Sequence, residues 1–268
     1  MPLIDPARLA PLLGPWAGRF DVDALAECDS TSSEVLRRAE AGAPAGLVVV
    51  ADRQTAGRGR RGRVWHAEPE DALTFSLLWR IEGPPARLAG LSLAVGLALV
   101  QALEHLGFRA LGLKWPNDVL GLCCGGWAKL AGVLVELSSG PRGTQAVIGV
   151  GINLRAPQVG LDQAAAGLAD LGPVPDRHEV LAALLASLGE VLAQFARQGF
   201  ALLRPAWEAR HAWAGQSVRV IIDAGKELTG SCVGVDVDGS LLLSGPEGPQ
   251  RVVAGDVSLR AVSGGPSA

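Results

Sequence analysis

Short β-branched runs recur along the first part of the chain, each bounded by glycine, proline or charged residues. Such runs are typical of buried strands. Five segments fit this description: residues 46–54, 72–80, 110–115, 129–139 and 144–154. No helical pattern separates the last two. The pattern therefore favours an antiparallel element over a pure series of βαβ units.

Two longer stretches are predicted to be helical. Residues 86–107 follow Gly-Pro-Pro, are apolar on every side and end at Gly107, as expected of a central buried helix. The second stretch runs from Asp176 to about Trp213 and repeats leucine at helical spacing. These leucines are Leu181, Leu184, Leu185, Leu188 and Leu192.

The character of the chain changes after Gly215. Short alternating strands are predicted within residues 217–222, 226–245 and 250–262, with turns at Asp238-Gly239 and Gly255-Asp256. A tract of about fifty residues of this kind is typical of a small β-barrel of SH3-like size. We therefore predict two domains, residues 1–213 and 214–268.

Composition restricts the class of protein. Hydrophobic residues make up 49% of the chain and charged residues 19%, which indicates a globular protein. The net charge of -3 argues against a general nucleic-acid binder, which needs a surplus of positive surface.

The cysteines and histidines indicate neither disulfides nor a zinc site. No C-x-x-C spacing and no metal-ligand spacing occurs among them, which fits a reducing cytoplasm. The residues concerned are Cys28, Cys123, Cys124, Cys232, His66, His105, His178 and His211. The N-terminus lacks a signal-peptide pattern, and the charge-free run over residues 88–103 falls short of the roughly 20 residues that a membrane span needs. We expect a soluble, cytoplasmic protein with no membrane partner.

An arginine- and glycine-rich segment, residues 57–63, contains G-x-G-x-x-G. A dinucleotide-binding turn requires a helix to open on its last glycine, and the residues after Gly62 show little helical pattern. Clustered arginine also suits nucleic-acid phosphates, but only Trp65 accompanies it as a stacking aromatic. A solvated surface loop is the simplest alternative. Three glycines make such a loop entropically costly to order, which favours a loop that opens and closes around an anion.

Lysine is rare in this chain. It has 21 Arg but three Lys, and two of these, Lys114 and Lys129, lie in one short region. An ammonium is a compact point charge whereas a guanidinium is a planar fork. The distribution suggests chemistry that needs an ammonium there.

Five motifs occur in the order found in biotin–protein ligases, which the chain resembles from about Asp29 to Leu154. They are "DSTSSE", "RQTAGRGRRGRVW", "LKWPNDV", "KLAGVLVE" and "IGVGINL". The resemblance implies an α/β (α+β) fold, with a mixed-sheet catalytic domain related to class II aminoacyl-tRNA synthetases and a C-terminal SH3-like β-barrel.

The resemblance implies a two-step reaction with ATP, Mg²⁺ and biotin. The biotin carboxylate attacks the α-phosphate of ATP, which gives biotinyl-5′-AMP and pyrophosphate. A lysine of a biotin carboxyl carrier domain then attacks this mixed anhydride. Homodimers are common in the family. Members that bind DNA carry an N-terminal helix-turn-helix domain of about sixty residues, and here the motifs begin at Asp29, so we expect no DNA binding.

Site residues follow from matching the motifs position by position. The catalytic candidates are Lys129, Arg58 and Arg60. The biotin-binding candidates are Ser30, Thr31, Ser32, Gln54, Gly57, Arg58, Gly59, Arg60, Lys129, Gly132, Leu134 and Gly149. The ATP-binding candidates are Arg60, Trp65, Lys114, Asn117, Asp118, Lys129 and Asn153. The neutral ureido head of biotin needs matched hydroxyl, amide and backbone partners. These are supplied by Ser30, Thr31, Ser32, Gln54 and the Gly57 backbone.

Several roles stay open. Asp118 either positions Mg²⁺ or orients a lysine, Trp65 either stacks on adenine or packs in the core, and the Ser-Thr-Ser run either binds ligand or caps a helix with Glu34. Ser32 stands where the family often has Asn. The stretch between Val119 and Lys129 is longer and more apolar than usual. A lipoyl ligase on the related fold is the alternative enzyme, and an Arg-Gly nucleic-acid module is the alternative from another class.

Overall fold

The computed structural model describes residues 2–81, 84–123, 125–140, 143–157, 163–221, 227–245, 248–253 and 258–261. These residues form a seven-stranded and a five-stranded sheet. The first contains β1 (Asp21–Cys28), β2 (Leu47–Gln54), β3 (Ala72–Ile81), β4 (Leu111–Lys114), β5 (Asp118–Cys123), β6 (Gly126–Gly140) and β7 (Gly143–Asn153). The second contains β8 (Ser217–Ile221), β9 (Glu227–Val235), β10 (Leu241–Gly245), β11 (Gly248–Val252) and β12 (Ser258–Ala261). The α-helices of the described residues are α1 (Pro6–Leu9), α2 (Thr31–Glu40), α3 (Leu91–His105), α4 (Arg177–Gln198) and α5 (Arg204–Glu208).

The large sheet has the strand order β1-β2-β3-β7-β6-β5-β4. β1 and β2 run parallel, and the other neighbouring strands run antiparallel. The expected mixed sheet is confirmed, as is the antiparallel pairing of the last two predicted strands. Within this pair Gly132 lies opposite Gly151, and Leu134 lies opposite Gly149. Two of the motifs therefore meet on one patch of the sheet.

Helices cover both faces of this sheet. The alternation along β2 places Val48 and Val50 in the main core, which includes α3 and α4, while Leu47 and Val49 pack with α2. Packing on both faces of the sheet holds the ends of its strands in place. The motifs that follow those strand ends are held with them.

The central helix begins later than its sequence predicts. Residues 85–88 form a 3₁₀ turn, and α3 begins at Leu91 after Gly90, whose φ is 80°. An L-residue with a side chain rarely adopts this φ, so the glycine separates the two segments. The predicted end is confirmed, because α3 ends at His105 just before Gly107.

The second predicted helical stretch is divided into α4 and α5. α4 begins with a capping box, in which the Asp176 carboxylate accepts the His178 N–H and the Glu179 carboxylate accepts the Asp176 N–H. It ends at Gln198, before Gly199. By length and composition Pro85–His105 and Arg177–Gln198 could each cross a membrane, but 67% and 56% of their apolar windows are buried inside the protein, as in the core helices of soluble proteins.

Two strands of the large sheet were missed by the sequence prediction. β1 contains acidic residues and lies at the sheet edge, so its pattern is weakly apolar. β5 runs into the stretch between Val119 and Lys129, and it forms a hairpin with β6. Trp127 of this hairpin packs over Gly112, since a Cβ there would lie 2.9 Å from the Trp127 ring. Cys124 lies outside the described residues.

The second sheet is antiparallel in the order β11-β10-β9-β8-β12, as expected of an SH3-like barrel. The predicted turn at Asp238-Gly239 is confirmed between β9 and β10, whereas the one at Gly255-Asp256 lies outside the described residues. The Gly239 carbonyl accepts a hydrogen bond from the Trp115 indole N–H at 3.0 Å. The second sheet thus touches the "LKWPNDV" motif directly.

Candidate active site

A cleft on the large sheet gathers side chains from all five motifs. Its empty volume, including the solvent in its mouth, is about 1130 Å³. The predicted site residues that line it are Ser30, Thr31, Ser32, Gln54, Arg58, Gly59, Arg60, Trp65, Asn117, Asp118, Lys129, Gly132, Leu134, Gly149 and Asn153. Gly57 and Lys114 were also predicted, but they are not among the residues that line it.

Hydroxyl groups occupy the end of the cleft where β1 leads into α2. Thr31 and Ser32 form the first turn of α2 and are buried. Gln54 ends the neighbouring strand β2, and its Oε1 accepts the backbone N–H of Thr31 at 2.8 Å. This end is polar but carries no charge on these three residues, which suits a neutral hydrogen-bonding group.

The helix-cap alternative for this run is only partly correct. Ser30 occupies the N-cap position of α2, but its side chain makes no capping hydrogen bond. Glu34 does not complete a capping box either, because its carboxylate accepts hydrogen bonds from Arg37 and Arg38. The hydroxyl run is therefore not used as a capping box.

Asp29 anchors the start of α2. Its two carboxylate oxygens each accept a hydrogen bond from Arg37 at 2.8 Å, and Oδ1 also accepts the Ser30 N–H at 2.8 Å. These bonds, chiefly those from Arg37, hold the pKa of the Asp29 carboxyl far below its usual range. Asp29 thus acts as a fixed anion that holds the Ser30 backbone at the start of α2.

Ser76 of β3 was missed by the sequence prediction. It is fully buried, and its hydroxyl lies 2.8 Å from Thr31 Oγ1 and 3.0 Å from Ser32 Oγ. The available signal was a serine which, with Thr74, interrupts the apolar run "LTFSLL". A buried hydroxyl in such a strand needs a partner, and here the partners are two predicted site residues.

The arginine–glycine loop is anchored at both ends. The Ala56 N–H donates to the Asp29 carbonyl at 2.8 Å, and the Trp65 N–H donates to the Gly57 carbonyl at 3.0 Å. A Cβ on Gly57 would lie 2.4 Å from the Trp65 carbonyl oxygen. Gly57 therefore closes the base of the loop, and its predicted backbone contact with biotin stays a prediction. No helix follows Gly62, as the sequence predicted.

Both candidate arginines of this loop line the cleft, and both contact other motifs. Arg58 Nη2 lies 2.5 Å from Glu136 Oε2, and Arg60 Nη1 donates to Asn117 Oδ1 at 3.0 Å. These contacts hold two guanidinium groups beside the cleft, where they can meet an anion.

Lys129 and Asp118 form an ion pair in the cleft. Lys129 Nζ lies 2.7 Å from Asp118 Oδ1, and Lys114 Nζ lies 3.9 Å from Asp118 Oδ2. Lys114 is buried, and its Nζ lies 4.8 Å from the centre of the Trp213 ring. An acid between two ammonium groups fits the lysine-orienting role of Asp118, and its role toward Mg²⁺ stays a prediction. Among the described residues no group of three His, Cys, Asp or Glu could hold a metal ion.

Trp65 lies on the glycine patch of the sheet. A Cβ on Gly151 would lie 2.3 Å from Trp65 Cε2, and one on Gly132 would lie 3.4 Å from Cζ3. The Lys129 ammonium is 5.6 Å from the centre of a Trp65 ring. Gly151 is thus required for the close approach of the indole. Trp65 lines the cleft, and its stacking on adenine stays a prediction.

The two asparagines use their amides within the protein. Asn117 Nδ2 donates to the Val133 carbonyl at 2.8 Å, and Asn153 Nδ2 donates to the Ala166 carbonyl at 3.0 Å. Their observed contacts stabilise the cleft wall. Their role toward adenine stays a prediction.

A segment after β7 completes the wall beside Lys129, and no motif or periodic pattern predicts it. The Lys129 N–H donates to the Ala164 carbonyl at 2.8 Å, and the Ala166 N–H donates to the Lys129 carbonyl at 2.9 Å. Gln163 and Ala165 of this segment line the cleft. The backbone of Lys129 is therefore held on both sides.

Comparison with known proteins gives two matching family models. The Biotin/lipoate A/B protein ligase family model matches residues 25–153, and the Biotin protein ligase C terminal domain model matches residues 214–260. The biotin--[acetyl-CoA-carboxylase] ligase of Mycobacterium tuberculosis is 36% identical over 252 residues, covering 92% of this chain and 91% of that protein. The ligase of the same name from Paracoccus denitrificans is 38% identical over 242 residues, covering 87% and 98%.

The solved structure of a biotin protein ligase from Aquifex aeolicus, in complex with biotin and ATP, has a similar fold. Its TM-score is 0.75 at 32% identity, and the match covers 90% of this chain and 99% of that one.

Proposed function

The chain belongs to the Biotin/lipoate A/B protein ligase family, and from this membership we infer that it is an ATP-dependent biotin–protein ligase. It activates biotin to biotinyl-5′-AMP with release of pyrophosphate and then transfers the biotinyl group to a lysine of a carrier protein. The structural observation that supports this inference is one cleft that has a neutral hydroxyl end and a cationic end.

The cationic end supports the first step. A carboxylate and a triphosphate repel each other, and they react only if their charges are screened and their atoms aligned. Arg58, Arg60 and Lys129 line the cleft and provide that screening. Because Asp118 holds the Lys129 ammonium at 2.7 Å, the charge is fixed before ligand arrives.

The hydroxyl end supports biotin over lipoate. A ureido ring offers two N–H donors and a carbonyl acceptor, which Ser32, Thr31 and Gln54 can match. A lipoyl dithiolane offers none of these, so buried polar groups would stay unmatched at about 1–3 kcal/mol each. The names of the relatives agree with this choice.

The second step needs a carrier that presents a lysine amine to the acyl-adenylate. Two relatives are named for acetyl-CoA carboxylase, and we propose a biotin carboxyl carrier domain of that enzyme as the acceptor. The amine attacks the acyl carbon of the mixed anhydride, AMP leaves, and the amine proton is released. The cations that screen the phosphate also stabilise the AMP leaving group.

Further expectations stay predictions. Mg²⁺ is expected to accompany ATP, as the resemblance to biotin–protein ligases implies. A domain boundary after residue 213 agrees with the start of the C-terminal family match at residue 214.

A cytoplasmic location agrees with the burial of both long apolar helices. A homodimer, which sedimentation tests, would have β1 as an edge strand for pairing, since the outer edge of β4 already bonds to the backbone of Arg210 and Ala212. The net charge of -3 predicts no DNA shift in gel retardation at physiological salt.

Biotin-dependent exchange of labelled pyrophosphate into ATP tests the first half-reaction. We expect exchange with biotin and none with lipoate. Exchange with lipoate alone would make lipoate the substrate in place of biotin. No exchange with either acid would contradict the ligase activity itself.

Lys129→Ala tests the ammonium. The variant should lose exchange activity by at least about 100-fold, because one charge-stabilising group is removed from the reacting centre. Arg219→Ala removes an exposed cation of β8 and should leave exchange unchanged. If Lys129→Ala exchanges pyrophosphate at nearly the rate of the unmodified protein, Lys129 does not take part in the reaction.

A further inference from the structure

Four polar groups form a continuous chain of hydrogen bonds behind the hydroxyl end of the cleft. Ser32 Oγ lies 3.0 Å from Ser76 Oγ, Ser76 Oγ lies 2.8 Å from Thr31 Oγ1, and Thr31 Oγ1 lies 3.2 Å from Gln54 Oε1. Ser32, Thr31 and Gln54 line the cleft, whereas Ser76 is fully buried beneath them. Ser76 is thus the link between the two cleft hydroxyls.

The direction of this chain follows from one group that can only donate. The backbone N–H of Thr31 lies 2.8 Å from the Gln54 side chain, so the atom facing it must be the acceptor Oε1. The Thr31 hydroxyl meets the same oxygen and therefore donates its proton to it. With that proton used, Thr31 Oγ1 accepts from Ser76.

The same argument gives the direction of the last hydrogen bond in the series, between Ser32 and Ser76. Each hydroxyl has one proton, and Ser76 gives its proton to Thr31, so the hydroxyl of Ser32 donates to Ser76. Ser32 Oγ is left with two lone pairs and Thr31 Oγ1 with one. The Gln54 amide is left with its NH₂ as the donor.

We propose that Ser76 is a positioning residue that fixes the cleft hydroxyls of Ser32 and Thr31 as hydrogen-bond acceptors, and so makes the cleft specific for a head group with N–H donors. The proposal rests on the proposed function, in which the ureido ring supplies two such donors and its carbonyl meets the Gln54 amide. Ser76 does not itself line the cleft and acts through the two hydroxyls.

Fixed polarity matters because a free hydroxyl can rotate and donate as readily as it accepts. A rotating hydroxyl must be ordered when ligand binds, whereas a hydroxyl held by Ser76 is already oriented. The close packing of Ser32 over Gly149, where a Cβ would lie 2.6 Å from Ser32 Oγ, further fixes its position.

Ser76→Ala, measured by direct calorimetric titration with biotin, tests the proposal. We expect biotin to bind about tenfold more weakly, since one hydrogen bond among desolvated partners is lost, while the KM for ATP stays unchanged. Ser76→Cys replaces the hydroxyl with a somewhat larger thiol, a poor donor, and should change affinity in the same direction. It serves as the second variant if Ser76→Ala folds poorly. Ser187→Ala is the matched control, because its hydroxyl donates to the Ala98 carbonyl at 2.8 Å between α4 and α3, away from the cleft.

A cyclic-carbamate analogue of biotin, with a ring oxygen in place of one N–H, separates positioning from packing. The unmodified protein should prefer biotin over the analogue strongly, and Ser76→Ala should reduce that preference about tenfold. An unchanged preference, or equal weakening toward both ligands and ATP, would show that Ser76 only packs.

The Ser32→Ala/Ser76→Ala double variant provides a further measurement. If the two residues act in one chain, the loss in biotin affinity should be clearly smaller than the product of the single losses. Fully independent losses would overturn the proposal. If the unmodified protein neither binds biotin nor supports exchange, the proposed function itself has failed. An active protein with an unchanged ligand preference in Ser76→Ala would refute the positioning role alone.

Discussion

Arg58 faces two competing anions. In this structure its guanidinium pairs with Glu136 at 2.5 Å, although Arg58 also lines the cleft that would receive the carboxylate of biotin. Both side chains are partly exposed, so water screens the pair and its stabilisation is about 0–1 kcal/mol. An entering carboxylate can therefore displace Glu136 at little cost.

Glu136→Gln should tighten biotin binding about twofold to fivefold, because the competing charge is removed while the side-chain shape is kept. Calorimetric titration of biotin in the absence of ATP measures this change directly. Glu227→Gln removes an equivalent exposed partner from Arg219 in the second sheet and should have no effect. Unchanged or weaker biotin binding in Glu136→Gln would mean that Glu136 supports the bound arrangement and does not compete with it.

The arginine–glycine loop is an element whose base has no space for a side chain. A Cβ on Gly57 would lie 2.4 Å from the Trp65 carbonyl oxygen, and backbone cannot move aside as a flexible side chain can. Gly57→Ala should therefore open the loop base, raise the KM for both biotin and ATP, and destabilise folding by about 1–3 kcal/mol. Exchange kinetics and urea unfolding measure both effects. Gly18→Ala, where a Cβ meets nothing within 4 Å, should behave as the unmodified protein, and normal KM values for Gly57→Ala would show that the loop base adapts.

The elements of the fold that could be predicted are those whose own residues carry a signal, such as apolar periodicity or a terminating glycine. The buried strands β2 and β3 and the end of α3 follow from apolar periodicity and glycine, and motif spacing brought most site residues together. Two features could not be predicted because their reason is tertiary. β1 is stabilised by pairing with β2 and not by its own pattern, and the segment beside Lys129 is held by backbone bonds that any residue could make.

The two sheets are coupled through the motif that carries Asn117 and Asp118. The buried Trp115 indole donates to the Gly239 carbonyl of the β9–β10 turn, and Arg251 pairs with Asp236 and Asp238 in that same turn. Lys114, next to Trp115, stacks over Trp213. The second sheet therefore helps to hold Asp118, the acid that orients Lys129. In this way it contributes to the geometry of the cleft.

His211 makes this junction sensitive to pH. Burial is the main cause that lowers its pKa from 6.5 to about 4, and the neighbouring Glu208 opposes that shift. Its ring lies 4.7 Å from that of Trp207, and its Nε2 is 3.8 Å from Cys232 Sγ of the second sheet. The folded junction thus contains a neutral imidazole.

The sign of the pH effect follows from proton uptake. Between pH 6.5 and about 4 the unfolded chain binds a proton at His211 that the folded chain does not bind. The free energy of unfolding should therefore fall as pH decreases through this window, by up to about 1.4 kcal/mol per pH unit from this group. Urea unfolding at several pH values, compared between the unmodified protein and His211→Phe, isolates the contribution, since phenylalanine keeps an aromatic ring without a titrating group. His105→Gln changes an exposed histidine of α3 and should retain the steep dependence. Equal slopes for His211→Phe and the unmodified protein would mean that the junction tolerates an imidazolium.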